Sequence, residues 1–309
     1  IRSTKENPSA FATRQFFAFL AEGHPYGHPV SGYESSVSAL TRDDVVGFYK
    51  KYYQPSGAIL AIVGDVRARK VFKEVSKRFG GWKGSGGARV EIPAIDPDKK
   101  IARKVIVIDK PDATQSQIRI GCYAPPVNNP DYFALTVANN ILGGGFTSRL
   151  MEEIRVNRGL TYGARSFLSQ YARGGFFGVT TFTKNKTLRE TIDVALSEVK
   201  RIGTEPVDEK ELEKAKKYLS GLYPFELETN DHLARTLARV AFYSIPLDYV
   251  NKYRELVGKV SSGDIMNVAK KYFHADNNLI LLITNYAETK DQLEGLGPVE
   301  VIPIDEVKN

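Results

Sequence analysis

Arg155 and Tyr162, seven residues apart across a break at Gly159, are the residues of this sequence whose types and spacing best suit a shared chemistry. A guanidinium and a phenol both donate hydrogen bonds. Aimed at one carbonyl oxygen, they would steady the charge that develops there as the carbonyl is attacked. The elements needed to bring them together can be read from the flanking residues. Asp131 to Leu142 carries Phe133, Val137, Ile141 and Leu142 at helical spacing. Gly143, Gly144 and Gly145 then stop that helix, since glycine accepts left-handed backbone angles without steric cost. Ser148 to Arg155 reads as a second, short helix with Leu150, Met151 and Ile154 on its apolar side, and Tyr162 lies where the chain turns into strands. On spacing alone, the commoner reading is a surface arginine and a half-buried tyrosine in a helix-to-strand connection.

Other candidate chemistries fail on their neighbours. The glycine run follows a helix and lacks a following Lys-Ser/Thr, so it is no phosphate-binding P-loop; a hinge or a close-packing role is open to it. His24 and His28 have the i, i+4 spacing of a helical metal pair, but Pro25 and Gly27 between them predict a turn. His232 reads as a helix-cap or surface residue, and His274 as a structural residue in a loop. Glu152 and Glu153 are expected in i, i+3 ion pairs rather than acid–base work. No metal site is expected in this chain. The lone Cys122 excludes an internal disulfide and a thiolate cluster.

The 309 residues, 42% hydrophobic and 26% charged, describe a globular chain long enough for two domains. A net charge of +7 suggests a modest preference for acidic surfaces or substrates, but its cations are intermixed with Asp and Glu, as in Lys210 to Lys217. That pattern reads as a solvated face, and no nucleic-acid partner is expected. No apolar run reaches the ~20 residues of a membrane span.

An internal repeat organises the chain. Leu40 aligned with Val260, 220 residues later, sets Thr41 on Ser261, Asp44 on Asp264, Lys50 to Tyr53 on Lys270 to Phe273, and Ile59 to Val63 on Leu279 to Ile283. Each copy opens with a capping-box-like start, continues as an amphipathic helix, and ends in a β-rich apolar run. The second copy begins near Ile101, after the Gly- and Pro-bearing stretch Gly80 to Pro97. The first would begin roughly 120 residues before Ile1, so the first domain is expected to be incomplete. The expected first-copy elements are helices over Ser9–Ala21, Thr41–Tyr53 and Arg67–Phe79 and a strand over Ala58–Val63. For the second, strands are expected over Lys104–Ile108, Ser116–Cys122 and within Gly163–Lys184, with helices over Thr187–Ile202 and Asp208–Leu222. The fold class is α+β: two homologous domains, each a mixed or antiparallel sheet with packed helices, the first N-terminally truncated. Residues 1–90 form the C-terminal part of the first domain, 91–103 a linker, and 104–309 a complete second domain.

Leu142 to Gly163 resembles the C-terminal-domain signature of the pitrilysin, insulinase and mitochondrial-processing-peptidase family, the inverted-zincin metallopeptidases, in its bacterial two-domain branch. His24 to Gly27, Tyr53 to Pro55, Val63 to Val66, Glu211 to Lys216 and Pro246 to Tyr249 extend the likeness along the chain. The resemblance implies a zinc-dependent metalloendopeptidase whose C-terminal portion is an inactive domain that binds peptide substrate through Arg155 and Tyr162. It implies zinc held elsewhere, in the intact family member or its partner, by an H-x-x-E-H helix and a distal Glu. This chain has no H-x-x-E-H, and the repeat offset places its counterpart before Ile1, so the chain alone is expected to be inactive. The resemblance also implies a homodimer or a heterodimer with a family subunit, and a soluble protein of the bacterial periplasm or cytoplasm, the compartment left open. In processing peptidases the matching glycine loop is longer, so Gly143–Gly145 is a poor candidate for their substrate-handling role. The alternative is a catalytically silent partner subunit or scaffold of the same family.

Overall fold

A computed structural model describes residues 6–84 and 90–308. Residues 85–89, within the Gly- and Pro-bearing stretch Gly80 to Pro97, lie outside the described residues. The architecture is α+β, centred on one mixed six-stranded sheet built from the second copy. In chain order its strands are β1 (Lys104–Asp109), β2 (Gln115–Ala124), β3 (Ala164–Tyr171), β4 (Gly174–Lys184), β5 (Leu279–Thr284) and β6 (Val299–Pro303). They lie in the order β3-β4-β2-β5-β1-β6. β1 is parallel to β5 and β6, whereas β2, β3 and β4 pair antiparallel. β5 runs antiparallel to β2, with Ile280 opposite Ile120.

Both faces of the central strands are buried, so their sequences are nearly continuous apolar runs rather than alternating ones. Val105, Val107, Ile118, Ile120, Ile280 and Leu282 face the main core. Against them pack α5 (Tyr132–Asn139), α6 (Leu188–Thr204), α7 (Glu209–Leu222), α9 (Tyr249–Gly258) and α10 (Ser262–Tyr272). Ile106, Ile108, Leu281 and Ile283 face the other way. They are covered by α1 (Pro8–Leu20), through Phe11, Phe16 and Leu20. Asn7 caps α1, its side chain accepting from the Ala10 amide at 3.0 Å. Arg119 of β2, 1% exposed, ties α1 down: it donates to Thr13 Oγ1 at 3.0 Å and to Ser9 O at 2.8 Å.

The first copy repeats the helix but not the strand. α3 (Arg42–Tyr52) and α10 share one capping box, with Thr41 and Asp44 in the first and Ser261 and Asp264 in the second. The expected strand Ala58–Val63 makes no ladder, and Ile59, Leu60 and Ile62 are exposed. The cause is a lack of partners. β5 lies between β2 and β1 and takes hydrogen bonds from both. Among the described residues no strand offers the Ala58–Val63 run such partners. The short α2 (Glu34–Ser38), α3 and α4 (Ala68–Phe79) bury no residue, and Phe48, Tyr49, Phe72 and Phe79 remain exposed. α8 (Asn230–Phe242) carries His232 in its first turn, where the His232 amide donates to Thr229 Oγ1, and α11 (Tyr286–Thr289) follows β5.

Candidate substrate-binding site

The site grows from the end of α5. There the helix passes into a π-helical turn over Asn140–Gly144, and after the loop at Gly145–Ser148 a second π-helical segment covers Met151–Asn157. Neither π segment is legible in the sequence, because a π turn differs from an α turn only by one extra residue per ring. Gly143, Gly144 and Gly145 do not stop the helix through left-handed angles: none has positive φ, and Gly145 is extended at φ −123°. The need for glycine is steric and is concentrated at Gly143. A Cβ there would stand 2.1 Å from the Ser166 backbone nitrogen on β3 and 2.8 Å from Leu150 Cδ1. The bare backbone lets the helix end lie directly on the sheet, with Ser166 Oγ donating to Asn139 O at 3.1 Å.

The second π segment is held on the core by Leu150 and Ile154, both fully buried. It ends at Gly159, φ +62°, where the Gly159 amide donates to Arg155 O and the Leu160 amide to Ile154 O. The π geometry also overturns the expected i, i+3 ion pairs. Glu153 meets Asn157 at 3.2 Å and Arg158 at 3.9 Å, four and five residues on, so Arg155 has no carboxylate partner. Tyr162 sits on the turn into β3. That turn is pinned to β4 by Thr183 Oγ1 donating to Leu160 O at 2.8 Å and Thr181 Oγ1 donating to Gly163 O at 3.0 Å.

Arg155 and Tyr162 line one open cleft of about 430 Å³. The cleft is cationic: Arg158, Lys184 and Lys186 also line it, and no carboxylate does. The Arg155 guanidinium lies 5.0 Å from the Phe146 ring centroid, a cation–π contact. Tyr162 is 82% exposed. Among the described residues, neither the guanidinium nor the phenol has a hydrogen-bond or ion-pair partner. Both are therefore donors without an internal acceptor, fixed from behind by buried elements.

Phe146 and the pair Arg149–Glu211 escaped the sequence reading. Phe146 and Arg149 line a larger cleft of about 790 Å³ between the glycine loop and α7. Arg149 is 9% exposed and donates to Glu211 through its Nε–Nη2 edge, Nε to Oε1 at 2.9 Å and Nη2 to Oε2 at 2.7 Å. Burial draws its pKa down, but the Glu211 hydrogen bonds and the charges of Glu211, Glu198 and Glu205 outweigh this and hold it above the ordinary value. The Ser148-Arg149 and Glu211 strings were visible, but 62 residues separate the partners and only the fold joins them.

The residues present do not fit a zinc site. Among the described residues no three of His, Cys, Asp and Glu converge as metal ligands. His24 and His28 flank a 3₁₀ turn, Pro25–Gly27, rather than a helix. His24 Nδ1 accepts from the Tyr26 amide at 3.1 Å and His24 Nε2 lies 3.0 Å from Pro93 O, so both ring nitrogens are engaged. His274 is half-buried, its pKa lowered by burial and by Lys100. No helix among the described residues is long and apolar enough to cross a membrane.

The site thus combines a mixed sheet with an Arg/Tyr turn and, among the described residues, no cluster of metal ligands. A family model described as the peptidase M16 inactive domain matches residues 39–219, and the chain belongs to that family. An uncharacterized zinc protease of Bacillus subtilis is 29% identical over 217 residues, covering 69% of this chain and 50% of the relative. One from Mycobacterium leprae is 29% identical over 238 residues, covering 76% and 52%. The chain thus spans about half the length of these curated relatives. Among solved structures, a peptidase M16 inactive domain from Pseudomonas fluorescens superposes with a TM-score of 0.83 at 25% identity, covering 92% of this chain and 67% of that one. A Complex III2 chain from Candida albicans shares the fold, with a TM-score of 0.77 at 12% identity over 96% of this chain and 72% of that one.

Proposed function

We propose that this chain is the substrate-holding portion of a zinc metalloendopeptidase, in which Arg155 and Tyr162 donate hydrogen bonds to a carbonyl of the peptide substrate. On this reading residues 104–309 are a complete inactive domain, and residues 1–90 belong to a first domain. Zinc would be bound outside this chain's described residues, in the intact protein or a partner subunit, where it would supply the activated water. The observation that carries the reading is the pair of unpartnered donors lining one cationic cleft. A carbonyl oxygen, more so as it gains negative charge, is the acceptor both lack. The planar fork of Arg155 matters as well as its charge, since a lysine cannot offer paired donors in one plane.

The test is peptide turnover by the full-length, zinc-loaded protein, measured beside thermal unfolding. Arg155→Ala and Tyr162→Phe are each expected to lower turnover on the order of 100-fold while leaving the unfolding midpoint unchanged, and Arg155→Lys to fall between. Wild-type turnover in both Arg155→Ala and Tyr162→Phe would remove the carbonyl-holding role and leave a silent scaffold as the better account.

A further inference from the structure

The helical segment that carries Arg155 is held in two different ways. Leu150 and Ile154 press it onto the sheet, but apolar contacts are non-directional and tolerate small slides and rolls. The π geometry of Met151–Asn157 departs from the regular α-helical ladder. The loop before it is thinly anchored: Phe146 is 74% exposed, and the Ser148 amide reaches Gly145 O only at 3.3 Å. Beside the single bond from the Ala164 amide to Met151 Sδ at 3.3 Å, a two-point directional restraint comes from the contact of Arg149 with Glu211, which joins the start of the segment to α7 across the larger cleft.

We propose that the Arg149–Glu211 pair is a positioning clamp that sets the aim of Arg155 into the substrate cleft. This rests on the carbonyl-holding role of Arg155. A bidentate guanidinium–carboxylate pair fixes distance and plane together. Arg149 is the most buried cation among the described ion pairs, so solvent screens it least. Phe146, three residues before Arg149, is the ring against which the Arg155 guanidinium rests. A roll of the segment would therefore shift both the guanidinium and the surface that orients it. Neither Arg149 nor Glu211 lines the smaller cleft, so they act through Arg155 rather than on the substrate.

The experiment is a double-mutant cycle on peptide turnover in the full-length, zinc-loaded protein, with unfolding midpoints recorded for every variant. Glu211→Gln removes the charge and half of the clamp while keeping its shape. Arg149→Lys keeps both charges but loses the fork, and serves if Glu211→Gln fails to fold. Each is expected to lower kcat about 10-fold, as misplacement of a catalytic group does, with KM within about twofold. Combined with Arg155→Ala, either change is expected to cost nothing further, because its effect passes through the residue already removed. Full additivity in the double variant would overturn the clamp and leave a merely structural pair. If Arg155→Ala loses turnover while Arg149→Lys keeps it, the clamp fails and the carbonyl-holding role stands. If Arg155→Ala itself keeps turnover, the carbonyl-holding role fails first, and the clamp with it.

Discussion

Replacing Gly143 with alanine separates a close-packing role for the glycine run from a hinge role. The added Cβ would lie 2.1 Å from Ser166 N, 2.7 Å from Ser166 Oγ and 2.8 Å from Leu150 Cδ1, where ordinary contact begins at 3.4 Å. The worst shortfall is 1.3 Å, the difference between 3.4 and 2.1 Å. None of the three neighbours can yield cheaply. Ser166 is in β3, paired with Val179, and Leu150 is fully buried. Overpacking costs about 1–3 kcal/mol in a rigid core, and this site belongs at the upper end. Displacement also breaks the bond from Ser166 Oγ to Asn139 O, for about 1 kcal/mol more. The expected loss of about 3–4 kcal/mol corresponds to a midpoint lowered by roughly 6–12 °C. The assay is thermal and urea unfolding of the three single alanine variants side by side. A Cβ on Gly144 meets Asn139 O at 3.2 Å and one on Gly145 meets only Asn140 Nδ2 at 3.9 Å. Gly144→Ala should therefore cost little, and Gly145→Ala should be neutral or stabilise by about 0.5 kcal/mol. A Gly143→Ala midpoint within 1 °C of wild type, or equal losses at all three positions, would refute the steric reasoning and favour a hinge.

Arg119→Ala should cost on the order of 3 kcal/mol in urea unfolding, through a core cavity and the loss of charge-assisted bonds. Amide exchange should quicken in α1 before the sheet, and unchanged α1 protection would contradict the tether. Stability should fall in acid through His274. Its folded pKa is lowered, so its contribution is whole above the ordinary value of about 6.5 and is lost as pH falls through the lower folded value. His274→Gln should flatten the midpoint-versus-pH curve between about pH 7 and 5, and an unchanged slope would exclude it as the source. Ser261→Ala should cost about 1 kcal/mol of global stability, because α10 buries Ile265, Val268, Ala269 and Tyr272. Thr41→Ala removes the same cap from a helix that buries nothing, and should leave the main unfolding transition within about 0.5 kcal/mol of wild type.

What the sequence disclosed was whatever depends on local pattern. The helices near Ser9–Ala21, Thr187–Ile202 and Asp208–Leu222 form within a residue or two of their expected ends, since caps such as Asn7 and Asp208 are local signals. β1 and β5, apolar along nearly their whole length, are as clear. β6 was not expected: Val299, Glu300 and Val301 sit exposed at the sheet edge and carry little apolar pattern. The Arg/Tyr turn was legible as a motif, and both residues do line one cleft. Its scaffold was not, because the π turns, the close approach at Gly143 and the Arg149–Glu211 pair depend on where distant segments meet.

The two repeat copies show how local and non-local terms divide the work. One capping box and one amphipathic pattern, aromatic-rich in α3 and mostly aliphatic in α10, write the two alike, and both helices form. The strand that follows forms only in the second copy, where β1 and β2 accept and donate its ladder bonds. A helix satisfies its own backbone groups, whereas a strand must find partners elsewhere in the chain. The candidate site falls on the side of that division where the strands are paired. Arg155 hangs from a segment packed on the finished sheet by Leu150 and Ile154, and Tyr162 stands on a turn bonded to β4. Presenting the two donors therefore rests on the sheet and the helices packed on it, α1 among them, and not on the unpaired apolar faces of α3 and α4.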